Sequence, residues 1–403
     1  MHCGPKRRGG LPGLLLATMA MAFGASAVAS EYPTTSPAAP SAAKANPKAK
    51  ATANPNARRT YEAQAEAYWK VVAEKRRLRL HKRRNNLTVT IDDYVLTQPP
   101  LYAGPGRMPG QPPDPSRPRF TRMPVMADFL RNGVEQFRFV VQKPESEAAF
   151  KESYVRLAAA AGLTQDQIVR IYAFETGGNG TYDVQAGLTT PRSKKARAIS
   201  PAVGYNQLLN TNTIGLLAAH GEDFIKTLSE STAALNEKDR QALDRKIAAM
   251  KRMIEFSRSV PYVWAEHDKI AKTTSGGIGV HALLFDRDMG PLLQVQKLIN
   301  SVKYARSKGV TRTLTASELE MMNFTGDGNG IDMVTMPQEL REKVPTSNFF
   351  QRGGYERNPI ARRAGTVAGL FAAIDGKMDR ASQQDGAREL ASAFENRKTA
   401  SGL

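Results

Sequence analysis

Between about residue 124 and residue 375 the apolar side chains recur at intervals of three and four, and no alternating run there is long enough to lay down a sheet. A chain patterned this way can bury its stripes only by packing helix on helix, so the pattern predicts an all-α domain with polar loops. The spacing predicts helices over 145–161, 164–176, 213–220, 236–257, 278–285, 291–307 and 315–322. The first ends at Gly162. The second opens on Thr164 with Gln167 three positions on, a capping box, and stops at Gly177-Gly178. Residues 364–403 carry weaker helical signal and read as a C-terminal tail. No internal repeat is present.

The N-terminal third reads differently. Residues 1–30 have a basic start (Lys6, Arg7, Arg8), an apolar run from Leu14 to Val28 and small residues at Ala25-Ser26-Ala27, the pattern of a secretory signal peptide. The run is short for a membrane anchor, the other reading. The single cysteine, Cys3, lies within this leader, so a mature chain would have no disulfide and must draw its stability from burial. Residues 31–59 are mostly Pro, Ala, Ser, Thr, Asn and Lys with almost no large apolar side chain, a composition expected of a disordered linker. In 60–123 a helix over 60–84 becomes steeply basic (Lys75, Arg76, Arg77, Arg79, Lys82, Arg83, Arg84), Leu87–Ile91 alternates as a short strand would, and 98–119 is a Pro/Gly-rich loop. The main domain is expected over 124–363.

The net charge is +19, or +16 without the three basic residues of the leader. Such a field favours anionic partners. Export argues against nucleic acid and toward anionic envelope polymers or a membrane surface, with the basic residues of 75–84 as the contacting arm; a solvated helix end explains the same residues.

The informative helix is 164–176. Ile168, Ile171 and Tyr172 form its apolar stripe, and spacing of three and four puts Glu175 on the same face. Desolvation at the end of that stripe favours the protonated acid, and the negative end of the helix dipole acts in the same direction. A general acid working near neutrality needs such a shift. A glutamate at a frayed helix end, reaching solvent, satisfies the same spacing. The two glycines that follow remove side-chain bulk and would let a large substrate approach.

Three segments occur in order: YAFETGG at 172–178, SPAVGYNQL at 200–208 and MNFTGDGNG at 322–330. Together they resemble the SLT-type lytic transglycosylase domain, which shares the goose-type lysozyme fold. The resemblance covers residues 145–355. It implies that Glu175 is the catalytic acid/base and that Thr176 replaces the family's Ser. Gly204 and Gln207 match the ends of the Gly-Leu-Met-Gln motif, with Tyr205 and Asn206 between them. Asn323 matches the Asn of the Tyr-Asn-Ala-Gly motif, and Tyr355 is the candidate for the tyrosine that closes the cleft. The chain departs from the family in a longer, basic loop between Glu175 and Gly204, an enlarged 221–275 stretch, and Met322 where an aromatic is usual.

The resemblance implies cleavage of the β-1,4 bond between N-acetylmuramic acid and N-acetylglucosamine in peptidoglycan, without cofactor or metal. A transglycosylase needs one carboxyl; a hydrolase usually needs two, and Asp183, eight residues after Glu175, is the nearest candidate for the second. Gln207 and Asn323 suit N-acetyl groups, and Tyr182 and Tyr205 suit sugar faces, although each could equally be packing. The segment Asp327–Asp332 begins like a calcium loop, but Ile331 and Gln338 occupy ligand positions, so a glycine-rich turn is expected. His81, His220, His267 and His281 lack metal spacing, and no phosphate or dinucleotide motif is present. Two non-enzymatic readings stay open: a module that holds glycan without cutting it, and an exported polyanion-binding protein.

Overall fold

The helical periodicity is realised as an all-α fold. The computed structural model describes residues 55–85, 87–102, 123–188, 197–230 and 236–400. The expected leader, most of the expected linker and Pro/Gly-rich loop, and part of the basic insertion lie outside them. Sixteen α-helices occur among the described residues: α1 (Pro55–Arg84), α2 (Met126–Phe137), α3 (Glu147–Ala160), α4 (Gln165–Thr176), α5 (Asn210–Glu230), α6 (Glu237–Arg258), α7 (Trp264–Thr273), α8 (Ser275–Gly279), α9 (Met289–Ser307), α10 (Ala316–Thr325), α11 (Asp327–Val334), α12 (Gln338–Lys343), α13 (Arg352–Arg357), α14 (Pro359–Ala364), α15 (Val367–Ala381) and α16 (Asp385–Ala400). The β structure of these residues is limited to isolated bridges such as Val203 to Leu208.

Two apolar cores form. One gathers α3, α4, α10, α15 and α16 around Ile168, Ile171, Tyr172, Leu319, Met322, Ile374 and Leu390. The other gathers α2, α5, α6 and the segment Val280–Phe285 around Phe129, Leu217, Met250 and Leu283. Helix α9 serves both, with Met289 and Leu293 in the second core and Val295, Leu298 and Ala305 in the first. Each fully buried Leu or Ile contributes about 2 kcal/mol of transfer free energy, so these stripes are what holds α4 in place. The enlarged stretch after residue 221 is filled by the end of α5, by α6 and by α7.

Two expectations are corrected, and the place of the C-terminal tail, which the sequence left open, is found. Leu87–Ile91 forms no strand; its described residues run extended into a short 3₁₀ turn, Ile91–Asp93, with no ladder to join. The helix of the basic segment starts at Pro55, inside the expected linker, and it is not a free arm. Arg79 is buried and donates to the carbonyls of Asp93 (2.8 Å) and Asn348 (2.9 Å), with its guanidinium over the Tyr94 ring. Lys75 donates to Tyr94 O at 2.9 Å, Arg76 to the Asn348 and Phe350 carbonyls, Lys82 pairs with Asp93 at 2.7 Å, and Arg83 pairs with buried Asp332. Five of the seven basic residues are therefore turned into the protein. Lastly, the C-terminal tail belongs to the first core: Leu370, Ile374, Met378, Ala387, Leu390 and Phe394 are buried, and α15 and α16 both pack on α4.

Candidate active site

Helix α4 carries the site because its ends are well specified. Thr164 Oγ1 accepts from Gln167 N at 3.2 Å, and Gln167 Oε1 accepts from Thr164 N at 2.9 Å, which is the expected capping box. Ile168, Ile171 and Tyr172 are fully buried. At the other end Gly177 takes a left-handed φ of 73° and stops the helix. Gly178 is required for a different reason from the one expected: a Cβ there would stand 2.1 Å from Ala381 O at the end of α15, so this glycine admits a neighbouring helix and not a substrate.

One turn earlier lies Glu175. The residue is half-buried, and protein atoms crowd its carboxyl. Asn323 Nδ2, on α10, donates to Glu175 Oε1 at 2.9 Å. The two motifs that sequence placed 148 residues apart therefore meet at one hydrogen bond. Burial pushes the Glu175 carboxyl up to about 7, against the opposing pull of Lys377, Asn323 and Lys297.

A second carboxyl, unforeseen from the sequence, stands beside it. Glu320 lies one helical turn before Asn323 on α10, all ten residues of which are buried. Glu320 itself has no accessible surface, and neither of its oxygens meets an N–H or hydroxyl donor. It is within hydrogen-bonding reach of Glu175, and burial, then the Glu175 charge, push its carboxyl well above the usual range. Lys377 on α15 lies with its Nζ 3.9 Å from the centre of the Phe174 ring; burial depresses it, and the two glutamates draw it back up. The signal that could have found Glu320 is its i, i+3 relation to Asn323 in an otherwise apolar helix. Lys377 carried none, because it lies in the segment read as a tail.

The GYNQ segment builds a turn. Val203 and Leu208 exchange two 3.0 Å backbone bonds, and Gly204 (φ 82°) and Gln207 (φ 45°) take left-handed conformations between them. Gln294 of α9 pins the turn: its Oε1 accepts from Asn206 N at 3.0 Å and would lie 2.8 Å from a Cβ on Gly204.

Several expected contacts are reassigned. Gln207 Nε2 is engaged by the carbonyls of Val184 (3.2 Å) and Gly204 (2.9 Å), so its amide N–H stabilises the turn and does not join Asn323 at Glu175. Tyr205 has no exposed surface; it sits among Phe150, Tyr154 and Tyr172 with its hydroxyl on Glu147, and cannot stack on a sugar. Thr176 Oγ1 donates back to Tyr172 O at 2.7 Å and holds the helix end. Tyr355 is buried against Trp69 of α1 and Phe350, not at a cleft mouth. Asp183 accepts from Thr181 Oγ1 at 2.6 Å, a partner two residues before it in the same loop. The Asp327–Asp332 segment is the start of α11, not a turn: Asp327 accepts from Ser301 Oγ at 2.7 Å and Asp332 pairs with Arg83, so their carboxylates serve different partners.

Among the described residues the site thus comprises Glu175, Glu320 and Asn323 under the field of Lys377 and Lys297: a carboxyl raised by burial, a buried second carboxyl and one fixed N–H. A depression of about 360 Å³ lined by Ala218, Ala219, Arg258, Val260 and Tyr262 is separate and shares no residue with it. No known protein family, curated protein or solved structure matches the chain.

Proposed function

We propose that the protein is an exported lytic transglycosylase of peptidoglycan, with Glu175 as its only acid/base. The observation that carries this reading is the carboxyl of a half-buried glutamate at the end of an apolar helix stripe, raised to about 7 by burial and held by the Asn323 amide. A group so tuned is protonated often enough at neutral pH to give up a proton, and basic enough afterwards to take one back.

In the reaction, Glu175 gives its proton to the bridging glycosidic oxygen as the C1–O bond of N-acetylmuramic acid breaks. Positive charge develops on that sugar ring. The sugar's own C6 hydroxyl then attacks C1, the C1–O6 bond forms, and the hydroxyl proton passes to the Glu175 carboxylate. The acid is restored and a 1,6-anhydro end is released, with no water consumed. A hydrolase would need a second carboxyl across the glycosidic bond, about 5–9.5 Å away. Asp183 is engaged by Thr181 Oγ1, and Glu320 is adjacent to Glu175 and sealed from water, which favours the single-carboxyl reaction.

Purified protein should release soluble fragments from peptidoglycan sacculi, and mass spectrometry should find anhydro ends. Activity should fall as pH rises through about 7, where Glu175 loses its proton. Glu175→Gln should abolish release while the circular dichroism spectrum stays unchanged. Fragments with reducing ends alone would replace transglycosylation by hydrolysis. Sedimentation with sacculi without any release, unaltered in Glu175→Gln, would leave a glycan-binding protein.

A further inference from the structure

We propose that Glu320 is a carboxylic acid that keeps its proton at neutral pH, and that it is a positioning residue whose O–H is aimed at Glu175 to receive the charge that appears there.

The argument starts from what surrounds the two carboxyls. Glu320 sits in a helix buried on every side and has no accessible surface. No N–H or hydroxyl donor meets either of its oxygens in hydrogen-bond geometry, and it belongs to no ion pair among the described residues. An ionised carboxylate without water, donor or counter-ion in contact is among the costliest arrangements in a protein interior. The group within reach is the Glu175 carboxyl, and two carboxylates cannot both be charged at that range in a dry site. A single O–H···O bond between them resolves both problems.

Their surroundings decide which side holds the proton. Glu175 retains some contact with solvent and accepts the Asn323 N–H at 2.9 Å. Glu320 has no accessible surface and no N–H in hydrogen-bond geometry, and the pull of Asn323 on it is outweighed by burial and by the Glu175 charge. The other charged groups acting from the packed helices are Lys377 on α15, which faces both carboxyls, and Lys297 on α9, which acts on Glu175 and lies 3.9 Å from Asp327 of α11. From α3 and α16, Lys151 and Glu389 pair with each other at 2.5 Å. The negative charge of the pair thus settles on Glu175 whenever one exists.

The catalytic consequence rests on the proposed reaction. When Glu175 releases its proton, the new carboxylate already has two donors fixed around it, the Asn323 N–H and the Glu320 O–H. Such preorganised donors cost nothing to arrange at the moment of reaction. Glu320 touches neither substrate nor water and serves only through Glu175.

The proton on Glu320 can be tested apart from the reaction. In the whole secreted chain labelled with [δ-13C]glutamate, the carboxyl resonance that disappears in Glu320→Gln should keep its protonated shift from pH 4 up to at least pH 7.5. Titration of that resonance in the ordinary carboxylate range overturns the proposal, whether or not the protein cuts peptidoglycan. The positioning role is tested on sacculi. Glu320→Gln, whose amide N–H can replace the O–H, should stay within about tenfold of the parent in kcat, whereas Glu320→Leu should lose about a hundredfold with KM unchanged. Equal loss in the two variants, with the fold verified by circular dichroism, overturns the role. A parent chain that releases nothing disproves the enzymatic reading, and the resonance alone then decides the proton.

Discussion

At the scale of single residues, the behaviour of the site turns on how one hydrogen bond and one dry environment oppose each other at Glu175. Burial holds its proton on, and Asn323 favours letting it go. Asn323→Ala removes a donor that bonds the charged form more strongly than the neutral one. The Glu175 carboxyl should then rise above about 7, and the alkaline limb of the kcat/KM profile should move to higher pH. Turnover should fall about ten- to a hundredfold, because the anion formed by proton transfer loses a charge-assisted bond worth about 1.5–3 kcal/mol. A lowered rate with an unmoved limb would mean that Asn323 does not act on the titrating group. Glu175 and Asn323 were both legible from residue type and motif order. Glu320 was not, since a carboxylate inside a helix reads as solvated until every face of that helix is known to be covered.

Elements extend the same lesson. A helical period tells which residues share a face, but not what covers that face. The spacing over 164–176 located α4 to within a residue at each end, because caps are local chemistry: Thr164 and Gln167 bond each other, and Gly177 takes the left-handed turn. The basic stretch 75–84 was legible as a helix, yet its direction was not, since arginines on a helix look alike whether they meet water or buried carbonyls. Arg79→Ala should make this difference measurable. It strips two donors from the carbonyls of Asp93 and Asn348 and opens a void under Tyr94. Urea unfolding should show a loss of about 2–4 kcal/mol, while Arg77→Ala, on the exposed side, should stay within about 0.5 kcal/mol. Equal effects would mean that α1 is not docked. Removing α1 altogether would also uncover Tyr355, so a truncation aimed at the basic arm tests the fold and not polyanion binding.

For the whole molecule, the proposed substrate is long, and a glycan strand seated at Glu175 must run on over other parts of the surface. Tyr262 is an exposed aromatic that lines the 360 Å³ depression; burial of its hydroxyl end, then Asp327, push its phenol up. Asp327 lies 3.9 Å from Lys297, and Lys297 acts on Glu175, so Tyr262 and Glu175 each feel a member of one ion pair. We expect Tyr262→Ala to raise KM about three- to tenfold with kcat held, as the loss of a sugar–aromatic contact would. A fall in kcat alone, measured on defined glycan oligomers, would exclude a binding role for it.

Residue order alone determined the all-helical class, the ends of α4 and the place of Glu175 at the end of its apolar stripe, because periodicity and capping are interactions between near neighbours. Only the tertiary structure decided that Asn323 and Glu320 face that carboxyl, that Tyr205 and Tyr355 are core, that the basic helix turns inward and that the tail supplies Lys377. Those outcomes depend on which surface covers which, and contacts between separate elements leave no trace in local spacing.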